Sequence, residues 1–171
     1  MNANDLKSKV KEISLIISDV DGVLTDGGMY YNSKGDFMKK FHARDGMGVT
    51  LLRKKGIPTI IVTKEKTVIV RKWASKMKVA EIFDGIQNKE QIIDVICKKY
   101  KVVTDQIGYI GDDVNDIELL KKVGFSATPK DCINKVQKIV DYVCKKNGGE
   151  GAFREIADLL IYSKFSTKKS Y

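Results

Sequence analysis

The sequence predicts an α/β fold in which a parallel sheet is flanked by helices. Short apolar runs of strand length alternate along the chain with segments of helical period, and strands that alternate with helices pair in parallel and bury both faces. Two of the apolar runs, at residues 15–20 and 107–110, end in clustered acidic residues. In open parallel sheets, ligands sit beyond the carboxyl ends of the strands. A chain of 171 residues has room for one domain with a real core but not for two large ones. Residues 1–171 are therefore read as a single domain, with no internal repeat or interdomain linker.

Each element follows from its residues. The first strand, 15–20, opens on the apolar run Leu15-Ile16-Ile17 and closes on Val20. Residues 29–31 and 36–42 flank the polar stretch Asn32-Ser33-Lys34-Gly35 and read as a hairpin inserted at about 28–43. A helix over 46–55 is stopped by Gly56 and Pro58. The β-branched run 59–62 is a strand, 66–77 a helix and 81–83 a short strand. Residues 89–99 are helical, 107–110 a strand, and 114–123 a helix with Ile117, Leu119, Leu120 and Val123 at core spacing. Strand 125–127 ends the sheet ahead of Pro129, helix 151–161 closes the fold, and the polar stretch 162–171 reads as a mobile tail.

The acidic strand ends carry the chemistry. Residues two apart on a strand point the same way, so Asp19 and Asp21 converge if the extended geometry persists. Like charges held together need a cation, a shared proton or strong hydrogen bonds, and Gly22 lets the backbone curl so that its amides face an anion. A divalent metal beside a phosphoryl group fits that pattern; an ordinary surface turn is the alternative, since Asp and Gly are common turn formers. The second cluster, Gly111-Asp112-Asp113-Val114-Asn115-Asp116, precedes a helix. One aspartate there is explained as an N-cap, whereas three carry more negative charge than a cap requires.

Composition narrows the class. A hydrophobic content of 43% excludes general disorder. No long apolar segment would span a membrane and no basic-then-apolar leader opens the chain, so the expected location is cytoplasmic and no membrane partner is expected. Cys97, Cys132 and Cys144 lack metal-type spacing and read as free thiols. The formal net charge of +9 comes from lysines scattered over helices, which solvated helix faces explain. No basic-aromatic interleaving supports nucleic acid as a partner, although the excess charge would steer an anionic substrate.

Together these residues resemble the haloacid dehalogenase (HAD) phosphatases. Asp19-Val20-Asp21-Gly22-Val23-Leu24-Thr25 is similar to their first motif and Gly111-Asp112-Asp113-Val114-Asn115-Asp116 to their fourth. Thr63, after an apolar strand, resembles the phosphate-binding residue of the second motif, and Lys89 the lysine of the third. Taken singly, Thr63 reads as a helix cap and Lys89 as a solvated lysine. Lys89 nevertheless opens a helix, where a cation faces the positive end of the dipole. Three further stretches, Asp26-Gly27-Gly28-Met29-Tyr30-Tyr31, Lys39-Lys40-Phe41-His42-Ala43-Arg44-Asp45-Gly46-Met47-Gly48 and Gly148-Gly149-Glu150-Gly151-Ala152-Phe153-Arg154-Glu155, resemble the 3-deoxy-D-manno-octulosonate 8-phosphate phosphatase branch. That branch includes nonulosonate (sialic-acid-like) 9-phosphate phosphatases and the related domain of acylneuraminate cytidylyltransferases.

The resemblance implies a Rossmann-like HAD core with a small β-hairpin insertion and no cap domain. It implies a Mg²⁺-dependent phosphatase of a 2-keto-3-deoxy sugar acid phosphate, in lipopolysaccharide or sialic-acid synthesis, acting as a homotetramer whose hairpins associate and whose subunits complete each other's sites. Asp19 is the implied nucleophile, forming an aspartyl-phosphate, and Asp21 the acid and base. Asp19, the Asp21 carbonyl and Asp112 are the implied metal ligands, with Asp113 and Asp116 orienting waters, Lys89 or the loop. Thr63 and Lys89 would stabilise phosphoryl charge. Arg44 is a candidate for the substrate carboxylate, a structural ion pair with Asp45 or Glu155 being its alternative. Arg154 and Gly149 resemble a motif that reaches an active site, against the alternative of a flexible loop before a helix. Lys64-Glu65 replaces the usual Gly-Arg of octulosonate phosphatases, and Glu65 with Lys76 resembles the nine-carbon branch, whereas Trp73 stands where that branch tends to be basic; the mixture leans toward a nonulosonate 9-phosphate over an octulosonate 8-phosphate. Two other classes stay open: a non-catalytic module that oligomerises a sugar-activating enzyme, and a phosphatase of another small metabolite.

Overall fold

The strand run Leu15-Ile16-Ile17 alternates between two apolar layers, and that alternation organises the molecule. Leu15 and Ile17 face one buried cluster with Ile60, Val62, Ile107 and Tyr109, while Ile16 faces the other with Ile61, Ile110 and Phe153. A strand that is apolar on both sides belongs at the centre of a covered sheet. The computed structural model describes residues 3–165. Among them, β1 (Leu15–Ser18) pairs in parallel with β4 (Thr59–Thr63) on one side and β6 (Ile107–Ile110) on the other.

The sheet extends outward through β5 (Glu81–Asp84) beside β4, and through β7 (Phe125–Thr128) and β8 (Tyr142–Val143) beside β6. The six strands described run in the order β5-β4-β1-β6-β7-β8. One layer holds α1 (Ala3–Glu12), α2 (Ala43–Lys54), α3 (Val68–Met77) and α7 (Ala152–Phe165); the other holds α4 (Ile93–Tyr100), α5 (Ile117–Lys122) and the short α6 (Asn134–Gln137). In α7, Ala152, Phe153, Ile156, Ala157 and Leu160 share the buried face, the one-sided stripe of an amphipathic helix. The α/β class, the hairpin and the absence of a cap domain among the described residues agree with expectation.

The structure corrects several boundaries. The first strand ends at Ser18, freeing Asp19 to turn away from the sheet. The hairpin is β2 (Tyr30–Asn32) and β3 (Gly35–Met38), shorter than 28–43. Helix α2 begins at Ala43, not 46, because the His42 ring nitrogen Nδ1 accepts the Arg44 N–H at 3.2 Å and caps it. Thr67 caps α3 at Val68 in the same way. The predicted helices at 89–99 and 114–123 open as single 3₁₀ turns, Lys89–Ile92 and Val114–Asp116. The sheet does not end at 125–127: β8 adds an edge strand. Residues 162–165 continue α7 and do not belong to a tail; 166–171 lie outside the described residues. Helix α1 was not anticipated, although Leu6, Val10 and Ile13 recur at helical spacing within a lysine-rich stretch.

Candidate active site

Because the chain fills the sheet to one side of β1 through β4 and then to the other through β6, a crevice opens above the carboxyl end of β1. Asp19 and Asp21 follow β1, Thr63 ends β4 and Asp112 follows β6. A cavity of about 180 Å³ there is lined by Asp19, Asp21, Thr63, Glu65, Asp112 and Asp113, with Met29, Asp36 and Lys39 from the hairpin side.

Lys89 sits beneath this cavity with no exposed surface. Its Nζ lies 2.7 Å from Asp19 Oδ2 and 2.6 Å from Asp116 Oδ1. Burial works against its charge, but the Asp19 and Asp116 carboxylates outweigh it and hold the ammonium above its usual range. The cation at a helix start is thus compensated by two acids.

Asp116 is saturated. Its Oδ1 accepts from Lys89 and, at 2.5 Å, from the Tyr109 hydroxyl, while Oδ2 accepts the N–H groups of Asp112 and Asp113 at 2.8 and 3.1 Å. Burial, then the Asp116 charge, pushes the Tyr109 hydroxyl well above its usual range and keeps it a neutral donor. Asp113 caps the 3₁₀ turn by accepting the Val114 N–H at 2.6 Å.

The remaining carboxylates are under-compensated. Burial, then the charges of Asp19 and Asp116, pushes Asp112 up to about 8, and its buried Oδ1 has no hydrogen-bond partner. Burial also raises Asp19, against the opposing pull of Lys89. Ligand oxygens of Asp19, Asp112 and Asp116 lie within 4.8 Å of one another. With Asp116 already occupied by four donors, Asp19 and Asp112 are the carboxylates free to hold a cation. Gly22 makes the approach possible: it has φ +81°, and a Cβ there would overlap the Asp112 carboxylate.

The other anticipated residues separate into groups. Glu65 is exposed at the cavity rim and Thr63 is buried in its wall. Arg44 and Arg154 lie together in a second cavity with Lys146, Glu150, Glu155 and Asp158. Arg154 pairs with Asp158 at 2.8 Å, and neither Asp45 nor Glu155 forms an ion pair with Arg44. Lys76 is exposed on α3. Gly149 packs on the Thr25–Asp26 backbone and donates its N–H to Val23 O at 3.0 Å, which braces the first motif. Trp73 stacks on Phe41 with ring centroids 4.6 Å apart.

Lys39 was not singled out from the sequence, where nothing separates it from Lys40. Its Nζ donates to Asp21 Oδ1 at 2.6 Å, and its side chain is only 6% exposed.

Crevice, buried lysine and acid pair define a class: a family model of haloacid dehalogenase-like hydrolases matches residues 60–156, and the chain belongs to that family. It is a phosphoric monoester hydrolase. Its relatives are narrower still. It is 33% identical over 159 residues to 3-deoxy-D-manno-octulosonate 8-phosphate phosphatase KdsC of Haemophilus influenzae, covering 93% of this chain and 88% of that one. The cobalt-bound structure of the deoxy-D-mannose-octulosonate 8-phosphate phosphatase from H. influenzae superposes with a TM-score of 0.89 at 34% identity, over 93% of this chain and 96% of that one. The Moraxella catarrhalis 3-deoxy-D-manno-octulosonate 8-phosphate phosphatase, in complex with magnesium, phosphate and KDO, gives 0.92 at 31% identity, over 95% and 94%.

Proposed function

We propose that the protein is a Mg²⁺-dependent phosphatase that hydrolyses the phosphomonoester of a 2-keto-3-deoxy sugar acid, octulosonate 8-phosphate first, through an aspartyl-phosphate on Asp19. The observation that carries this reading is the buried Asp19–Lys89–Asp116 arrangement beside an unpartnered Asp112 oxygen. A structural module gains nothing from acids that repel one another. The relatives named above, which act on octulosonate 8-phosphate, support the substrate class.

In this reading Asp19 attacks phosphorus, with Lys89 holding its carboxylate and offering charge to the phosphoryl oxygens. Asp21, at the cavity edge, protonates the sugar oxygen as the P–O bond breaks and then takes a proton from the attacking water. Thr63 donates its hydroxyl to the phosphoryl group. Mg²⁺, held by Asp19, Asp112 and the Asp21 carbonyl, would neutralise charge on the phosphoryl oxygens. Asp116 orients Lys89 and, through its N–H contacts, the loop that carries Asp112 and Asp113.

Glu65 at the rim supports a second reading in which the substrate is a nonulosonate 9-phosphate, whose extra hydroxyls would donate hydrogen bonds to that carboxylate. The exposed Met29, Tyr31, Phe37 and Met38 support a homotetramer built on the hairpins. There Arg44, Arg154 and Lys76 would serve a neighbour's site. Among the described residues, no helix is long and apolar enough to cross a membrane; we place the enzyme, as a single domain, in the cytoplasm.

Phosphate release from octulosonate 8-phosphate and nonulosonate 9-phosphates, with and without Mg²⁺, tests both readings. Release that requires Mg²⁺ and is lost in Asp19→Asn is expected. Release that survives that substitution removes the nucleophile assignment, and release from neither sugar acid overturns the substrate class.

A further inference from the structure

We infer that Lys39 is a positioning residue for Asp21, so that the return arm of the hairpin is part of the leaving-group machinery. This rests on the phosphatase reading above. Three contacts tie that arm to the first-motif loop: Lys39 Nζ to Asp21 Oδ1 at 2.6 Å, Lys40 Nζ to Asp26 Oδ2 at 3.3 Å, and an antiparallel bridge between Phe41 and Thr25. The first differs from the second in its surroundings. Lys39 has a 6% exposed side chain and lines the cavity, whereas Lys40 is 54% exposed and does not.

An ion pair that is this sheltered from water holds geometry, while an exposed one does little. Asp21 itself is partly open to solvent, and among the described residues the Thr25 hydroxyl, at 3.4 Å, is the one other group that reaches the same Oδ1. With Oδ1 engaged, Oδ2 is left as the oxygen that carries a proton toward the substrate. Oδ1 accepts from Lys39 whether or not Oδ2 is protonated, so the orientation persists through the cycle. As the bond from phosphorus to the sugar oxygen breaks, Asp19 takes the phosphoryl group and the Oδ2 proton passes to the departing oxygen. The ammonium then faces a carboxylate.

A role confined to leaving-group protonation has a distinctive signature. An alkoxide leaving group needs a proton, whereas p-nitrophenolate departs without one. The experiment compares kcat/KM, which covers steps through leaving-group departure, for octulosonate 8-phosphate and p-nitrophenyl phosphate at saturating Mg²⁺. Wild-type protein, Lys39→Met, Lys39→Arg and the exposed control Lys40→Met are measured, with unfolding midpoints for each. Lys39→Met is expected to lose about 10- to 100-fold on the sugar phosphate, a part of the roughly 10²–10⁴-fold that acid–base catalysis supplies, and less than about threefold on the aryl phosphate. Lys39→Arg should recover part of the loss, and Lys40→Met should match wild type. Equal losses on both esters, or no loss, overturn the inference, the first because Lys39 then grips the phosphoryl group. If Lys39→Met does not fold, the same selectivity is read from Lys39→Gln, which keeps a donor without the charge. Wild-type protein that releases phosphate from neither ester refutes the phosphatase reading, a result distinct from an active enzyme whose Lys39 variants show no selectivity.

Discussion

Replacing Lys89 with methionine removes a charge while nearly conserving volume, and so isolates the electrostatics beneath the cavity. The ammonium has no exposed surface and lies 2.7 Å from Asp19 and 2.6 Å from Asp116. Removing one member of such a buried set leaves the others uncompensated, at a cost of about 3–5 kcal/mol. For a chain of this size each kcal/mol moves the unfolding midpoint by about 2–4 °C, so a fall of roughly 6–20 °C is expected in metal-free protein. The sign of the pH dependence follows from Asp19, whose folded pKa burial raises above its unfolded value. Folding takes up a proton there, and that contribution is present at low pH and lost as pH rises through the folded pKa. Without Lys89 only the hydrogen bond from the Val20 N–H opposes the upward shift, so the variant should approach wild type at pH 5 and depart from it most at pH 8. Mg²⁺ should recover part of the loss by supplying charge to Asp19 and Asp112. Thermal unfolding by circular dichroism at both pH values, with and without Mg²⁺, reads all of this. A variant that melts within about 2 °C of wild type at pH 8 in the absence of metal refutes the reasoning.

Four further outcomes are expected. Asp19→Asn should lower turnover by at least about 10³-fold with an unchanged circular dichroism spectrum; retained turnover would exclude Asp19 as nucleophile. Asp45, fully buried as the acceptor of the Arg154 N–H at 2.8 Å, is pushed up to about 6, mainly by burial. Its contribution should be complete below pH 4 and fade through pH 6, so wild type should lose up to ~3 kcal/mol relative to Asp45→Asn across that window, measured by urea unfolding at each pH. A Cβ on Gly148 would overlap the Gly22 carbonyl; Gly148→Ala should cut kcat/KM by roughly tenfold or more through displacement of the first-motif loop, and unchanged kinetics would show that the loop tolerates the shift. Trp73→Ala should cost about 2–3 kcal/mol by losing the stack on Phe41 and its partial burial, again read by urea unfolding.

Much of the fold was legible because its signal is local. Apolar strand runs, Gly56 and Pro58 as a helix stop, and acids at strand ends are all short-range patterns. The elements that escaped depend on partners far along the chain. Strand β8 has only two residues, which pair with Ala127 and Thr128, and no periodicity exists at that length. Helix α2 starts early because one histidine ring caps it, a role that histidine seldom announces. At the site, the acids and Lys89 were visible as motifs, but the burial that sets their charges was not. Lys39 and Lys40 are neighbours of identical type, and only the path of the hairpin arm past Asp21 distinguishes them. Arg44 and Arg154 were grouped with the site by motif, yet the chain turns them into a different cavity.

The contact between the Gly148–Gly149 turn and the first motif has a consequence for how activity appears during synthesis. The Gly149 N–H reaches Val23 O at 3.0 Å, and Gly148 seats against the Gly22 carbonyl. The loop at residues 19–26 is therefore buttressed by a turn that the ribosome delivers long after it. A nascent chain interrupted anywhere before that turn has its nucleophile but not the brace that shapes the loop around it. Hydrolysis should begin only once Gly148 and Gly149 can fold back onto the first motif, and a single proteolytic nick between β8 and α7 should silence a molecule whose acids are all still present.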